Sequence, residues 1–169
     1  DWNGKEDLSS IGFTATDDFI QAGRGVLFGN DTILSAVNNN PWWGTAANHP
    51  NFNRLAHYVG IVADGTYALT NRHSSKVKVV NKGLLTSFPN KLDSGTLDIP
   101  STHAFGQYVN NTSTIWMTLF DDMRANANGA LTDWYLVSKN NTAMIQTGHS
   151  DSTPPTLDEE KVFANTIFY

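Results

Sequence analysis

Apolar residues recur at three- and four-residue steps through Leu8, Ile11, Ala15, Phe19 and Ile20, a spacing that lines one helical face and predicts a helix over 7–22. Gly23 follows, where a helix end favours a left-handed residue. Val26, Leu27 and Phe28 are then apolar in succession, as in a strand covered on both faces, and Gly29 lets the backbone turn sharply into Asn30 and Asp31. Helical spacing returns at Phe52, Leu55, Ala56 and Val59, with Gly60 as terminator. Short strands are predicted at 77–80, 114–120, 134–137 and 142–147, with a turn and extended connection at 83–89 and a polar turn region at 121–131. Thr156, with Glu159 three residues on, has the form of a capping box; the helix it opens carries Val162, Phe163, Thr166 and Ile167 as its apolar face. Strands alternating with helices predict an α/β fold: three layers around a mostly parallel sheet.

At 169 residues and 40% hydrophobic content, the chain is long enough to bury one real core, so a single domain over 1–169 is expected. A net charge of −5 with scattered Lys and Arg argues against nucleic acid, which needs a clustered basic surface. Lys76 and Lys78 alternate along a predicted strand and should face solvent. No stretch approaches the roughly 18 apolar residues of a membrane span, and the opening Asp-Trp-Asn-Gly is not a signal peptide. The absence of cysteine excludes disulfides and thiol chemistry. Together with an Asn- and Thr-rich, weakly charged surface, it fits the outside of a Gram-positive cell.

Two strand exits share one form, an apolar strand, a glycine, then polar side chains: Gly29-Asn30-Asp31 and Gly148-His149-Ser150-Asp151. In a parallel sheet both open on the same carboxyl edge, so Asn30, Asp31 and His149 would meet around one cleft. Ser101 to Gln107, after Pro100, is expected as a loop closing over it with His103 and Gln107. Three readings stay open. His149, oriented by Asp151, could act as a base, but the nucleophile's place holds Asn30, which cannot attack. Asp31, His103 and His149 could bind a divalent metal, although no tight ligand spacing supports it. The third is a polar network that ties strand ends or binds a sugar or peptide by hydrogen bonds. Trp42 and Trp43 form either a ligand platform or a lid on the core. The first seven residues hold loosely spaced oxygens, and the plain reading is a turn whose Asp7 caps the first helix.

These segments resemble the class I glutamine-amidotransferase-like (flavodoxin-like) fold, and within it the ThuA-like branch. The resemblance rests on residues 22–31, on the Lys78-Val79-Val80 strand with residues 83–89, and on Gly148-His149-Ser150-Asp151 before the last helix. Residues 28–32, 102–107 and 146–150 are also similar to a domain of large Gram-positive surface proteins. In amidotransferases the turn carries Cys and a late strand leads to His-x-Glu; here Asn30 stands at the first place and His149-Ser150-Asp151 echoes the second. The resemblance implies a domain that lacks its first strand–helix–strand unit, as a fragment of a larger surface protein would. It also implies pairing of the exposed sheet edge with that missing segment or with a neighbouring chain.

The expected function is therefore a non-catalytic structural or ligand-binding module, extracellular, directed at carbohydrate or another surface protein in adhesion. No cofactor is required, though a divalent metal is compatible. The alternatives are a metal-assisted hydrolase of carbohydrate or amide bonds, and an architectural domain of a filament or stalk.

Overall fold

The computed structural model describes residues 7–30, 32–33, 50–62, 70–92, 95–120, 133–147 and 154–169, with 70–73 and 102–106 described as backbone. Its frame is one six-stranded sheet. The strands are β1 (Val26–Phe28), β2 (Thr70–Val79), β3 (Thr96–Gly106), β4 (Thr114–Leu119), β5 (Trp134–Lys139) and β6 (Thr142–Ile145), in the order β1-β6-β5-β4-β2-β3. Only β1 and β6 pair parallel; β6–β5, β5–β4, β4–β2 and β2–β3 are antiparallel.

The expected three-layer, mostly parallel sheet is thus overturned: the sheet is mixed and mostly antiparallel, with few helices. The reason is local. Only Asn140 and Asn141 separate β5 from β6, and Asn140 takes a left-handed φ of 53°. A two-residue link can only fold back as a hairpin, whereas a parallel neighbour needs a crossover of about a dozen residues. The segment expected as a loop over 101–107 also departs, because residues 101–106 are the second half of β3, and His103 pairs with His73 of β2. The strand expected at 77–80 is the end of the longer β2.

The sheet separates two apolar clusters. On one face lie Val77, Leu85, Leu97, Met117, Tyr135, Leu136, Ile145 and Val162, under helix α4 (Leu157–Phe168). On the other lie Ile20, Phe28, Ile33, Leu55, Val59, Trp134, Val137 and Met144, under helices α1 (Ser10–Gln21), α2 (Pro50–Arg54) and α3 (Ala56–Val59). β5 serves both clusters, and its run from Trp134 to Val137 is fully buried, as the unbroken apolar stretch predicts.

Helix ends follow local chemistry. The Ser9 hydroxyl accepts from the Gly12 amide at 3.0 Å, and α1 ends in a Schellman turn: Gly23 (φ 78°) donates to Ile20 and Arg24 to Phe19. Asp7 does not cap α1; its carboxylate accepts from the Asn51 and Phe52 amides at 2.9 and 3.0 Å and opens α2. The helix expected over 52–59 is two short pieces, α2 and α3, ended by Gly60 at φ 75°.

The inward face of α1 is only in part the one its periodicity suggests: Leu8 and Ile20 pack as expected, Ile11, Ala15 and Phe19 do not. Phe13, Thr16, Asp17 and Ile20 turn toward the protein, where Arg54 sits 3.6 Å above the Phe13 ring and Tyr58 donates to Asp17 at 2.6 Å. Ile11, Ala15 and Phe19 face outward, and Ile11 is 83% exposed. On α4 the expected face is corrected in one place: Val162 and Thr166 are buried, whereas Ile167 is exposed.

The N-terminus of α4 is fastened to the edge strand β3. Thr156 caps the helix by accepting from the Glu159 amide, and its hydroxyl donates to the Asp98 carbonyl at 2.6 Å; the Asp98 amide donates to the Asp158 carboxylate. Asp98 also pairs across the strands with Lys76 at 2.7 Å, while Lys78 is exposed as expected. Beneath the cap, the buried Tyr135 phenol donates to the buried Glu159 carboxylate at 2.8 Å. Burial first, then the neighbouring Glu159 charge, hold the Tyr135 proton well above the ordinary tyrosine range. With the native value raised, this pair's contribution is whole below the unfolded tyrosine value of about 10 and fades as pH rises beyond it. Urea unfolding compared at about pH 9 and about pH 11 should therefore show the wild type losing up to about 1.4 kcal/mol per pH unit more than Tyr135→Phe. Equal slopes for the two proteins would contradict this assignment.

Candidate functional site

The carboxyl ends of β1 and β6 lie side by side, with Phe28 opposite Met144 in the parallel ladder. Each strand then runs out of apolar residues, β1 into Gly29 and Asn30, β6 into Gln146 and Thr147. After β1 the chain turns tightly: the Thr32 amide points back to the Gly29 carbonyl at 3.4 Å, and Thr32 and Ile33 are buried.

A line of buried hydrogen bonds supports this edge. The Gln107 side-chain amide donates to the Ile33 carbonyl at 2.8 Å, and the Trp134 indole donates to the Gln107 carbonyl at 2.7 Å. The Gln146 side-chain amide donates to the Trp134 carbonyl at 2.8 Å, while its backbone amide donates to Tyr135 at the same distance. The segment after β1, the end of β3, and strands β5 and β6 are thereby tied together. Polar groups held this way in a low-dielectric interior fix the positions of the turns above them.

Against this well-bonded background, Asn30 stands out. Its side-chain oxygen is buried and has no hydrogen-bond donor among the described residues. Leaving a buried acceptor unmatched costs about 1–3 kcal/mol, so an orphan at a strand exit marks a place where a donor is wanted. Chemically, a carboxamide can accept and donate hydrogen bonds but cannot serve as a nucleophile or titrate.

The other sequence-derived candidates are placed as follows. Gln107 comes next to the residues beyond β1, yet its side-chain amide is committed to the backbone at Ile33. His103 lies four residues upstream on β3, known by its pairing with His73. Asp31, Trp42, Trp43, His149 and Asp151 lie outside the described residues, so two of the three candidate metal ligands do as well. Among the described residues, no three His, Asp or Glu side chains come together to hold a metal ion. Thr32, Trp134 and Gln146 were not singled out in the sequence. Gln146 carried a signal: a polar residue directly after the apolar Ala143-Met144-Ile145.

No protein-family profile matches the chain, and no curated protein sequence does. Among solved structures, a ThuA-like protein from Bacteroides uniformis superposes with a TM-score of 0.64 at 13% sequence identity, over 96% of this chain. The chain spans 64% of that protein's length. At this identity the likeness is one of fold, and it agrees with the ThuA-like resemblance. No described helix is long and apolar enough to cross a membrane.

Proposed function

We propose that this chain is a non-catalytic ligand-binding module of an extracellular bacterial surface protein, and that it takes carbohydrate at the joint carboxyl edge of β1 and β6. The observation that carries this reading is the buried side-chain oxygen of Asn30, which has no donor among the described residues. A sugar hydroxyl is a donor of the right kind, and it needs neither a nucleophile nor a charge from the protein. The supporting frame is already rigid, because Gln107, Trp134 and Gln146 satisfy one another beneath it. Asp31 and His149 follow the two strands in sequence and would add polar contacts.

The decisive variant is Asn30→Ala, read for both binding and stability on an array of glycans. Removing an unmatched acceptor should leave the unfolding free energy unchanged or raise it by about 1 kcal/mol. Loss of its bond to the sugar should weaken binding about tenfold. Wild-type protein that binds no glycan, or a variant that binds as well as wild type, would retire the proposal.

A second reading is architectural, with a strand added to β1 by a preceding segment or a neighbouring chain. One observation favours it, a contrast between the two sheet edges. β3 is blunted: the α4 cap occupies the Asp98 amide and carbonyl, and Pro100 has no N–H to offer. β1 has no strand beside it on its outer side among the described residues.

A further inference from the structure

We infer that the outward face of α1 is a self-association surface, on which a second copy of this chain docks with its own α1 antiparallel about Ala15. The stripe Ile11, Ala15, Phe19 is spaced four residues apart on one helical face. All three residues are exposed, Ile11 at 83% and Phe19 at 51%. The opposite side of the helix already packs on the core through Phe13 and Ile20, so this stripe is surplus to the fold.

Three features select a second copy as the occupant. The stripe is large–small–large about Ala15, so a two-fold axis there sets Ile11 of each copy against Phe19 of the other, with the two alanines meeting between them. A shallow depression on the same face is lined by Ser10, Ile11, Thr14, Ala15 and Asp18. It lies level with the position the second copy's Phe19 would take, so one helix carries both the knob and its hole. Such a contact is isologous and closes on itself. The helix dipole agrees as well: α1 has no acidic residue in its first turn and no basic residue in its last, where the exposed Asp18 sits instead. Carboxylates there oppose their own helix dipole, whereas antiparallel docking carries each Asp18 to the first turn of the other helix, where negative charge is favoured. A single helix pair makes a small interface, so the association belongs in the micromolar-to-millimolar range.

The test uses the absence of native cysteine. Facing alanines bring two Ala15→Cys thiols within disulfide reach, about 4–7 Å between Cα atoms. Two Ser10→Cys thiols would lie about 15 Å apart along the axis, at 1.5 Å per residue. Under mild oxidation Ala15→Cys should cross-link to a dimer while Ser10→Cys remains monomeric. By sedimentation, Ile11→Asp should weaken the wild-type dimer at least tenfold with unchanged circular dichroism. Equal cross-linking at both positions, a wild type that stays monomeric up to about 1 mM, or an Ile11→Asp variant that dimerises as the wild type does would each overturn the inference.

Discussion

Gly60→Ala should lower the unfolding free energy by about 3 kcal/mol, more than most single-methyl changes do. Two costs combine. Gly60 ends α3 at φ 75°, a region that charges an L-residue about 1–2 kcal/mol. A Cβ there would also stand 1.8 Å from the Ser113 hydroxyl oxygen, so that side chain must leave its hydrogen bond to the Val59 carbonyl. Breaking that bond and crowding the site adds about 1–2 kcal/mol. Gly23→Ala is the internal control, because Gly23 has φ 78° but nothing within 4 Å of a built Cβ. It should lose only the conformational part, about 1 kcal/mol. Urea unfolding of the two variants separates the terms. Equal losses would mean that Ser113 yields without cost.

Asn165→Leu should cost about 3–5 kcal/mol, although the two side chains branch at the same carbon. Asn165 is fully buried on α4 and saturates its hydrogen-bonding capacity against the connection after β2. Its side-chain amide donates to the carbonyls of Leu85 and Asn90 at 2.8 and 2.7 Å. Its oxygen accepts from the Asn90 amide at 2.8 Å and from the Asn90 side chain at 3.3 Å. A leucine would leave the Leu85 carbonyl and the Asn90 amide and carbonyl without their partner beneath the helix, beside the cis Phe88–Pro89 peptide. Thr166→Val, one residue away, makes the contrast. Its hydroxyl donates only to the Val162 carbonyl of its own helix, so thermal unfolding should shift little. Comparable losses at 165 and 166 would refute the role given to Asn165.

Features decided within a few residues were legible in the chain. Ends of helices are chemistry between neighbours, so Gly23, Gly60 and Thr156 announced their roles in advance. Apolar runs marked β5 and the start of β6 correctly, because a central strand must be apolar on both faces; β1 was marked too, although it is an edge strand whose Val26 and Leu27 are only half-buried. The direction of the sheet is also written locally, in the two-residue Asn140-Asn141 link, and it outweighs the alternation of elements that suggests a parallel arrangement. Of the candidate site, the sequence indicated Asn30; it set the second exit at Gly148, whereas β6 already ends at Ile145, before Gln146.

What the linear chain could not decide were choices among equivalent local possibilities. α1 has apolar residues on two faces, and periodicity puts Leu8, Ile11, Ala15, Phe19 and Ile20 together; the protein packs Leu8 and Ile20 of that set but turns Phe13 inward in place of Ile11, Ala15 and Phe19, because Arg54, Tyr58 and the sheet present partners on that side. Asp7 could cap either of two helices and reaches α2 across 44 residues of sequence. Gln107 could have faced a ligand, yet its partner is the Ile33 carbonyl, 74 residues away. Local torsion and alternation of side chains along the chain determine which elements form and where they stop. Which face each element buries, and which polar group is left without a mate, depend on the energies of contacts that exist only once distant segments have met.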